Sequence, residues 1–188
     1  NSPKERFKNY VEAVRKEVNS FHHWGSVEPL SDAQCDAIYS DPKKRRRIMK
    51  ARFAYRNKNA AKPGAEEFAK ARCVLLGCFD PDLTRIERYA PTATTTGFWI
   101  LMQIYSTGLL DPRGKWSLVT GDVKTAFLQR SSGTDRTEPL YMSPPSDPIA
   151  TAAGAFAEAR LWVVRGNVYG LANAPYNFYQ VVRDKMLS

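Results

Sequence analysis

The segment 49–56, MKARFAYR, alternates apolar with basic residues. The apolar positions are Met49, Ala51, Phe53 and Tyr55, and the basic positions are Lys50, Arg52 and Arg56. Successive side chains of a β-strand point to opposite faces of the sheet, whereas helical neighbours recur at three or four residues. This period of two therefore predicts a strand that has one buried face and one cationic face.

A second strand is predicted just after this one. Residues 57–67, NKNAAKPGAEE, hold the Asn, Pro and Gly that are typical of a turn. Phe68–Leu76 then returns to a strand-like composition, with Lys70 and Arg72 two positions apart and so on one face. Two strands joined by a short polar turn predict an antiparallel hairpin.

The charge of the chain is concentrated around this hairpin. The 188 residues have 28 Lys and Arg against 19 Asp and Glu, a net charge of +9. Residues 41–72 hold twelve of the basic residues and three of the acids, so the rest of the chain is neutral. A neutral body with one basic segment is typical of a polyanion-binding protein, although a solvated basic loop is the alternative. We assign nucleic-acid binding to Lys50, Arg52, Arg56 and Lys58.

The remaining periodicities predict an α+β fold. Helical spacing predicts helices over residues 3–23, 31–38, 95–108, 150–159 and 174–187. Alternating or apolar runs predict strands over residues 116–122, 140–142 and 161–164. Residues 123–129 fit either the end of a strand or the start of a helix.

Several classes of protein are excluded or disfavoured. No run approaches the roughly 18 apolar residues of a membrane span, so we expect no membrane partner. We expect a signal peptide to be absent or already removed. The three cysteines, Cys35, Cys73 and Cys78, are odd in number and form no CxxC pair, which favours a reducing, intracellular location. The two histidines, His22 and His23, are adjacent and too few for a zinc site. Common nucleotide-binding and hydrolase motifs are absent.

Asp122 is the carboxylate that the pattern singles out. It lies at the end of the predicted strand 116–122, between Gly121 and Val123. A carboxylate in such a place is costly to bury unless it binds a cation or caps a helix. A helix N-cap for residues 123–129 is the structural alternative.

A series of segments resembles the reverse transcriptase of copia-type LTR retrotransposons. In chain order the segments are EAVRKEVNSFHHWGSVEPL, MKARFAYRNK, FAKARCVLLGCFDPDL, YAPTATTTGFWILMQIYS, WSLVTGDVKTAFLQ, LYMSPP and VYGLANAPYNFYQVV. Together they cover nearly all of residues 10–187, and GDVKTAFL, LYM.PP and YGLxxAP are the most specific of them. The family usually has YGLKQAP, so this chain lacks the Lys of that motif.

The resemblance implies a set of nucleotide-site residues. It makes the basic hairpin the fingers tip that folds over the incoming nucleoside triphosphate, with Lys70 and Arg72 as nucleotide-binding positions. Phe127 matches the aromatic residue that stacks under the sugar, and Tyr169 and Gly170 match the turn beside the nucleotide pocket.

The resemblance also implies a metal site. Asp122 matches the first catalytic aspartate, which holds two Mg²⁺ ions, or Mn²⁺ in their place, and the backbone carbonyl of Val123 is a further ligand. The paired aspartates of the YxDD hairpin are absent from the sequence, which contains no Asp-Asp pair. We therefore expect an incomplete metal site and no polymerisation by these residues alone.

The resemblance gives the organisation and the function. Residues 1–90 would be the N-terminal helix and fingers, and 91–188 the first part of the palm, with residues 130–160 returning towards the fingers and the YxDD hairpin lying further on. The function is that of an RNA-directed DNA polymerase in a cytoplasmic particle or the nucleus. Its partners are an RNA or DNA template-primer, dNTP, and either the rest of the polymerase or a second copy covering an open palm edge. The alternative is a non-catalytic nucleic-acid-binding or structural protein derived from such a polymerase.

Overall fold

The computed structural model describes residues 2–111, 114, 116–128 and 136–188, and this part is a mixed α+β structure. The α-helices within it are α1 (Pro3–His23), α2 (Asp32–Ser40), α3 (Pro42–Arg45), α4 (Thr95–Leu109), α5 (Pro148–Ala153) and α6 (Ala174–Leu187). The strands within it are β1 (Val27–Pro29), β2 (Ile48–Asn57), β3 (Ala69–Leu75), β4 (Leu140–Ser143) and β5 (Trp162–Val164). The prediction of an α+β fold is confirmed.

The described strands form one open sheet in the order β1-β5-β4-β2-β3. β2 and β3 are the predicted antiparallel hairpin, in which Arg56 lies opposite Lys70. β2 also pairs in parallel with β4, and β1 pairs with β5. Neither pairing was predicted, because parallel partners are joined by long connections that no local pattern specifies and β1 is too short to show alternation.

Helix α1 covers the buried side of the hairpin. It begins with a capping box, in which Ser2 accepts the N–H of Glu5 and Glu5 in return accepts the N–H of Ser2. Val14, Val18 and Phe21 are buried in the core that α1 shares with β3. Burial of each such side chain contributes about 1.5–3 kcal/mol, so the apolar stripe holds the helix on the sheet.

The contacts divide the chain into two compact units, residues 1–89 with 125–188 and residues 90–124. In the smaller unit, α4 begins after Thr94, whose hydroxyl accepts the N–H of Gly97 at 3.0 Å. The prediction of a fingers part before residue 90 and a palm part after it concerns function and stays a prediction. No helix within the described ranges is long and apolar enough to cross a membrane.

The predicted strand over residues 116–122 is wrong. These residues join no ladder, and the ring of Trp116 instead fills the space beside the Cα of Gly108 in α4. Its alternation was weak, and no described strand offers it a partner. The described residues therefore show no strand here that could form an open palm edge. That the rest of the polymerase or a second copy covers such an edge stays a prediction. Of residues 123–129, whose structure the pattern left open, Ala126–Leu128 form a short 3₁₀ turn.

Candidate nucleotide and nucleic-acid site

The basic face of the hairpin is open to solvent. Lys50, Arg52 and Arg56 are exposed, whereas Met49 and Phe53 on the opposite face of β2 are buried. The predicted division of the strand into a core face and a cationic face is thus confirmed. The face offers three exposed cations along one strand, with Lys50 and Arg52 about 6–7 Å apart and Arg56 about 13 Å beyond Arg52.

Two further cations extend this face. Lys58 is exposed in the turn after β2, and its Nζ lies 5.1 Å from the ring centre of Phe68. Arg56 and Lys70 are directly opposite each other across the hairpin. Like charges in opposing positions destabilise a sheet. A row of cations at such positions therefore favours a role in binding anions over a role in stability.

Arg72 lies on the same face of β3 as Lys70 and packs on the ring of Tyr169. Its guanidinium carbon is 4.3 Å from the centre of that ring. Among the described residues no carboxylate lies within ion-pair distance of Arg72, and the buried hydroxyl of Tyr169 has no hydrogen-bond partner. Burial raises the pKa of Tyr169, so the phenol stays protonated. The pair offers the guanidinium N–H groups of Arg72 to an anion.

The turn that carries Tyr169 is held against the outer edge of β3. The carbonyl of Tyr169 accepts the N–H of Leu75 at 2.8 Å. Gly170 has a φ of 88°, and a Cβ at this residue would overlap the carbonyl oxygen of Leu75. Only glycine combines this backbone conformation with so close an approach, which explains why the turn requires Gly170.

Phe127 forms a further wall beside Tyr169. Its ring makes edge contacts with Tyr169 and Phe178, with centres 6.0 and 5.8 Å apart. The structure therefore brings Arg72, Phe127, Tyr169 and Gly170 together from three separate segments of the larger unit. Their assignment to a nucleotide site stays a prediction.

Glu17 is a buried carboxylate at this site that the sequence reasoning missed. It is 8 % exposed, and its Oε1 accepts the N–H of Cys73 at 3.2 Å. Burial raises the pKa of Glu17, and the charges of Arg72 and Lys70 act against that rise. The sequence does contain an indication that Glu17 is buried, because it lies within the apolar stripe of α1, three residues after Val14.

A buried ion cluster, also missed, joins the base of the hairpin to the start of α6. Arg47 donates two hydrogen bonds to Asp82, at 3.0 and 2.7 Å. Arg136 binds Asp80 and Asp82 and donates to the amide oxygen of Asn173 at 3.2 Å. Arg47 thus belongs to the basic segment by sequence but is not available on its surface. No local pattern indicates this pairing between distant residues.

The predicted metal ligands lie in the smaller unit, and both are exposed. Asp122 and Val123 would offer one carboxylate and one carbonyl oxygen, whereas two Mg²⁺ ions need several oxygen ligands. The described ranges contain no group of three or more His, Cys, Asp or Glu that could hold an ion. The residues present do not fit a two-metal centre, and no chemical step is assigned to them.

Searches of the chain against protein-family models, curated proteins and solved structures find no match. The functional assignment below accordingly depends on the contacts around Arg72, on the exposed cations of β2 and on the resemblance of the motifs.

Proposed function

We propose that the chain is the fingers and the first part of the palm of a copia-type RNA-directed DNA polymerase. In this proposal the hairpin binds an RNA or DNA template-primer, and the pocket around Arg72 binds the phosphates of the incoming dNTP. The observation that carries it is the contact cluster of Arg72, Phe127 and Tyr169. Three segments whose motifs resemble one enzyme supply neighbouring side chains.

The chemistry of the pocket suits a nucleoside triphosphate. A guanidinium is planar and always charged, and it presents several donors to phosphate oxygens. Its stacking on Tyr169 stabilises it by about 0.5–2 kcal/mol and leaves its N–H groups available. Phe127 adds an aromatic surface on which an apolar part of the ligand can pack. The pocket therefore combines phosphate recognition with a platform for the sugar.

The chemistry of the hairpin suits the nucleic-acid backbone. Lys50, Arg52 and Arg56 are exposed on one face of β2. Contacts of this kind bind phosphates without sequence specificity and weaken as salt rises. We propose that this face supports the template-primer.

Polymerisation requires more than these residues supply. In the proposed enzyme Asp122 contributes one of several carboxylates, and the others come from a YxDD hairpin that the 188 residues do not contain. The alternative function is a non-catalytic nucleic-acid-binding or structural protein derived from such a polymerase. Such a protein shares the β2–β3 hairpin and the pocket but lacks the YxDD hairpin. The presence or absence of a YxDD motif in the reading frame beyond Ser188 distinguishes the two functions.

The test of the pocket is nucleotide binding by an Arg72 variant. Binding of a fluorescent deoxynucleoside triphosphate is measured on the chain mixed with an RNA–DNA template-primer. Arg72→Gln should weaken it at least tenfold, because a charge-assisted contact to phosphate contributes about 1.5–3 kcal/mol. The matched control is Arg160→Gln, an exposed arginine paired with Asp32 and Asp36. Equal affinity of the two variants would contradict the proposal.

A further inference from the structure

Four adjacent cations of the basic segment 41–72 belong neither to the proposed template-primer face nor to the nucleotide pocket. They are consecutive in the sequence: Lys43, Lys44, Arg45 and Arg46. Pro42 precedes them, and Arg47 follows them and is buried against Asp82. A run of basic residues of this length is typical of a nuclear-import signal or of a nucleic-acid-binding patch. We call the four exposed residues, 43–46, the basic turn.

The basic turn adds nothing to the core of the fold. The short helix α3, which contains most of it, has no buried residue. Among the described residues the only ion pair of the turn joins Lys44 to Asp41 at 3.9 Å, and such surface pairs contribute little. Adjacent charges of one sign repel one another. The stability of the fold therefore does not account for this cluster of cations.

The geometry of the turn disfavours a flat polyanion as its partner. Successive side chains of a helix are rotated by about 100° around its axis, so consecutive cations point to different sides. The cations of β2 differ in this respect, because alternate residues of a strand share one face. A phosphate backbone on one side of the turn contacts only part of it, whereas a groove that encloses an extended segment contacts every residue. Charge complementarity requires that such a groove be lined with carboxylates.

We propose that the basic turn is a nuclear-import signal. A receptor with an acidic groove binds residues 43–46 in extended form, and each of the four cations meets carboxylates of the receptor. The proposal uses none of the residues assigned to the nucleotide or to the template-primer. Its failure would therefore leave the proposed polymerase function untouched, and the reverse also holds.

The fold leaves enough chain for the turn to open. The nearest buried residues on its two sides are Ile38 in α2 and Arg47, nine positions apart in the sequence. Nine residues span up to about 30 Å when extended, and the basic turn needs about 14 Å of that length. Opening breaks few backbone hydrogen bonds, among them the one from the N–H of Arg45 to the carbonyl of Asp41 at 2.8 Å, and displaces no buried side chain. Segments of this kind open at a small cost in free energy.

The experiment follows nuclear entry of the whole chain, fused to a fluorescent reporter too large to diffuse through nuclear pores. The initial rate of entry is measured in permeabilised cells with and without added cytosol, which supplies the receptor. The wild type should enter only when cytosol is present. The triple variant Lys43→Gln, Lys44→Gln and Arg46→Gln should enter no faster than the reporter alone, because each lost charge-assisted contact weakens receptor binding about tenfold. Circular dichroism checks that the variant keeps its fold, as expected for exposed positions.

Two further triple variants remove the same charge from exposed cations elsewhere. One changes Lys4, Lys8 and Arg15 of α1 to Gln. The other changes Lys50, Arg52 and Arg56 of β2 to Gln. Both should enter at the wild-type rate, since neither alters the basic turn.

The outcomes that would overturn the proposal are distinct. An equal loss of entry in the α1 variant would make net charge the cause, and an equal loss in the β2 variant would make nucleic-acid binding the cause. A wild type that does not enter with cytosol would show that the chain has no working signal. Wild-type entry by the turn variant, with its salt slope for template-primer binding smaller by about 2–3, would identify the turn as a nucleic-acid contact instead.

Discussion

The guanidinium of Arg72 lies 4.3 Å from the ring centre of Tyr169, and the hydroxyl of that ring meets no hydrogen-bond partner among the described residues. The contact depends on the backbone, because the carbonyl of Tyr169 binds the N–H of Leu75 and so fixes the turn against β3. The ring therefore orients the guanidinium at the outer edge of β3.

Tyr169→Phe should reduce neither the binding of a deoxynucleoside triphosphate nor the stability. The variant keeps the ring under Arg72 and removes a buried hydroxyl that has no described partner, so the free energy of unfolding should stay constant or rise. Because that hydroxyl is closed to solvent, it gives the ligand no hydrogen bond, and the affinity should match that of the wild type. Fluorescence titration and urea unfolding measure the two effects. A clearly weaker affinity would show that the hydroxyl does contact the ligand.

Replacement of Lys50, Arg52 and Arg56 by Gln should reduce the salt dependence of template-primer binding. Four to six phosphate contacts predict a slope of log K against log salt of roughly −3 to −5 for the wild type, and each lost contact removes about 0.7–0.9 from it. The triple variant should therefore lose about 2–3 units of slope. Its control neutralises three exposed cations of α1, Lys4, Lys8 and Arg15. Equal slopes for both triple variants would contradict the assignment of this face.

Gly170→Ala should destabilise the chain more than Gly154→Ala does. Both glycines have a positive φ, 88° and 67°, and an alanine in this region costs about 1–2 kcal/mol. A Cβ at Gly154 meets nothing within 4 Å, whereas one at Gly170 would overlap the carbonyl of Leu75. The difference between the two variants in urea unfolding isolates the cost of this close approach. Equal losses of stability would mean that the turn can move away from β3.

Asp82→Asn should destabilise the larger unit by roughly 3–5 kcal/mol, because it leaves the buried guanidinium of Arg47 with only the exposed carboxylate of Glu138, 3.8 Å away, as an ion partner. The hydrogen bonds from Arg47, more than the burial that opposes them, hold the pKa of Asp82 below its usual range. Its contribution is therefore present above the unfolded pKa of about 3.9 and is lost as pH falls through the lower folded value.

The measurement for Asp82 is urea unfolding of the wild type and the variant from pH 7 downwards. The gap between them should be widest at neutral pH and should close below about pH 4. The control is Asp32→Asn, whose side chain is 86 % exposed in its pair with Arg160. Such surface pairs contribute little, so this variant should match the wild type. If the difference in the free energy of unfolding between Asp82→Asn and the wild type did not change with pH, the stabilisation by Asp82 would not be ionic.

Asp122→Asn tests the catalytic assignment in a polymerase chain that carries this segment together with a YxDD hairpin. Loss of one metal-binding charge should lower nucleotide incorporation by about 100-fold or more. Stability should change by no more than about 0.5 kcal/mol, because the residue is exposed. If Asp122 only caps a helix, Asn serves nearly as well and incorporation should be unaffected. Asp184→Asn, an exposed acid in α6, is the control.

The elements that the sequence predicted are those whose pattern is local. The period of two in residues 49–56 placed β2 within one residue of its observed bounds, and the apolar stripe placed α1 at Pro3–His23. Such a pattern is visible in residues only a few positions apart in the sequence. The strand predicted over residues 116–122 is not observed, because weak alternation does not show whether a partner strand exists.

The sequence by itself determined α1, α4 and α6, the hairpin and the concentration of charge on one of its faces. It did not predict α3, and α5 ends at Ala153 and not at the predicted residue 159. Only the tertiary structure decided which charges are available. Arg47 is buried against Asp82, Arg72 lies on Tyr169, and the buried carboxylate of Glu17 accepts the N–H of Cys73. The reason is physical: hydrophobic periodicity is repeated along the chain, whereas a single polar contact between distant segments depends on how packed elements meet and leaves no repeat to be seen.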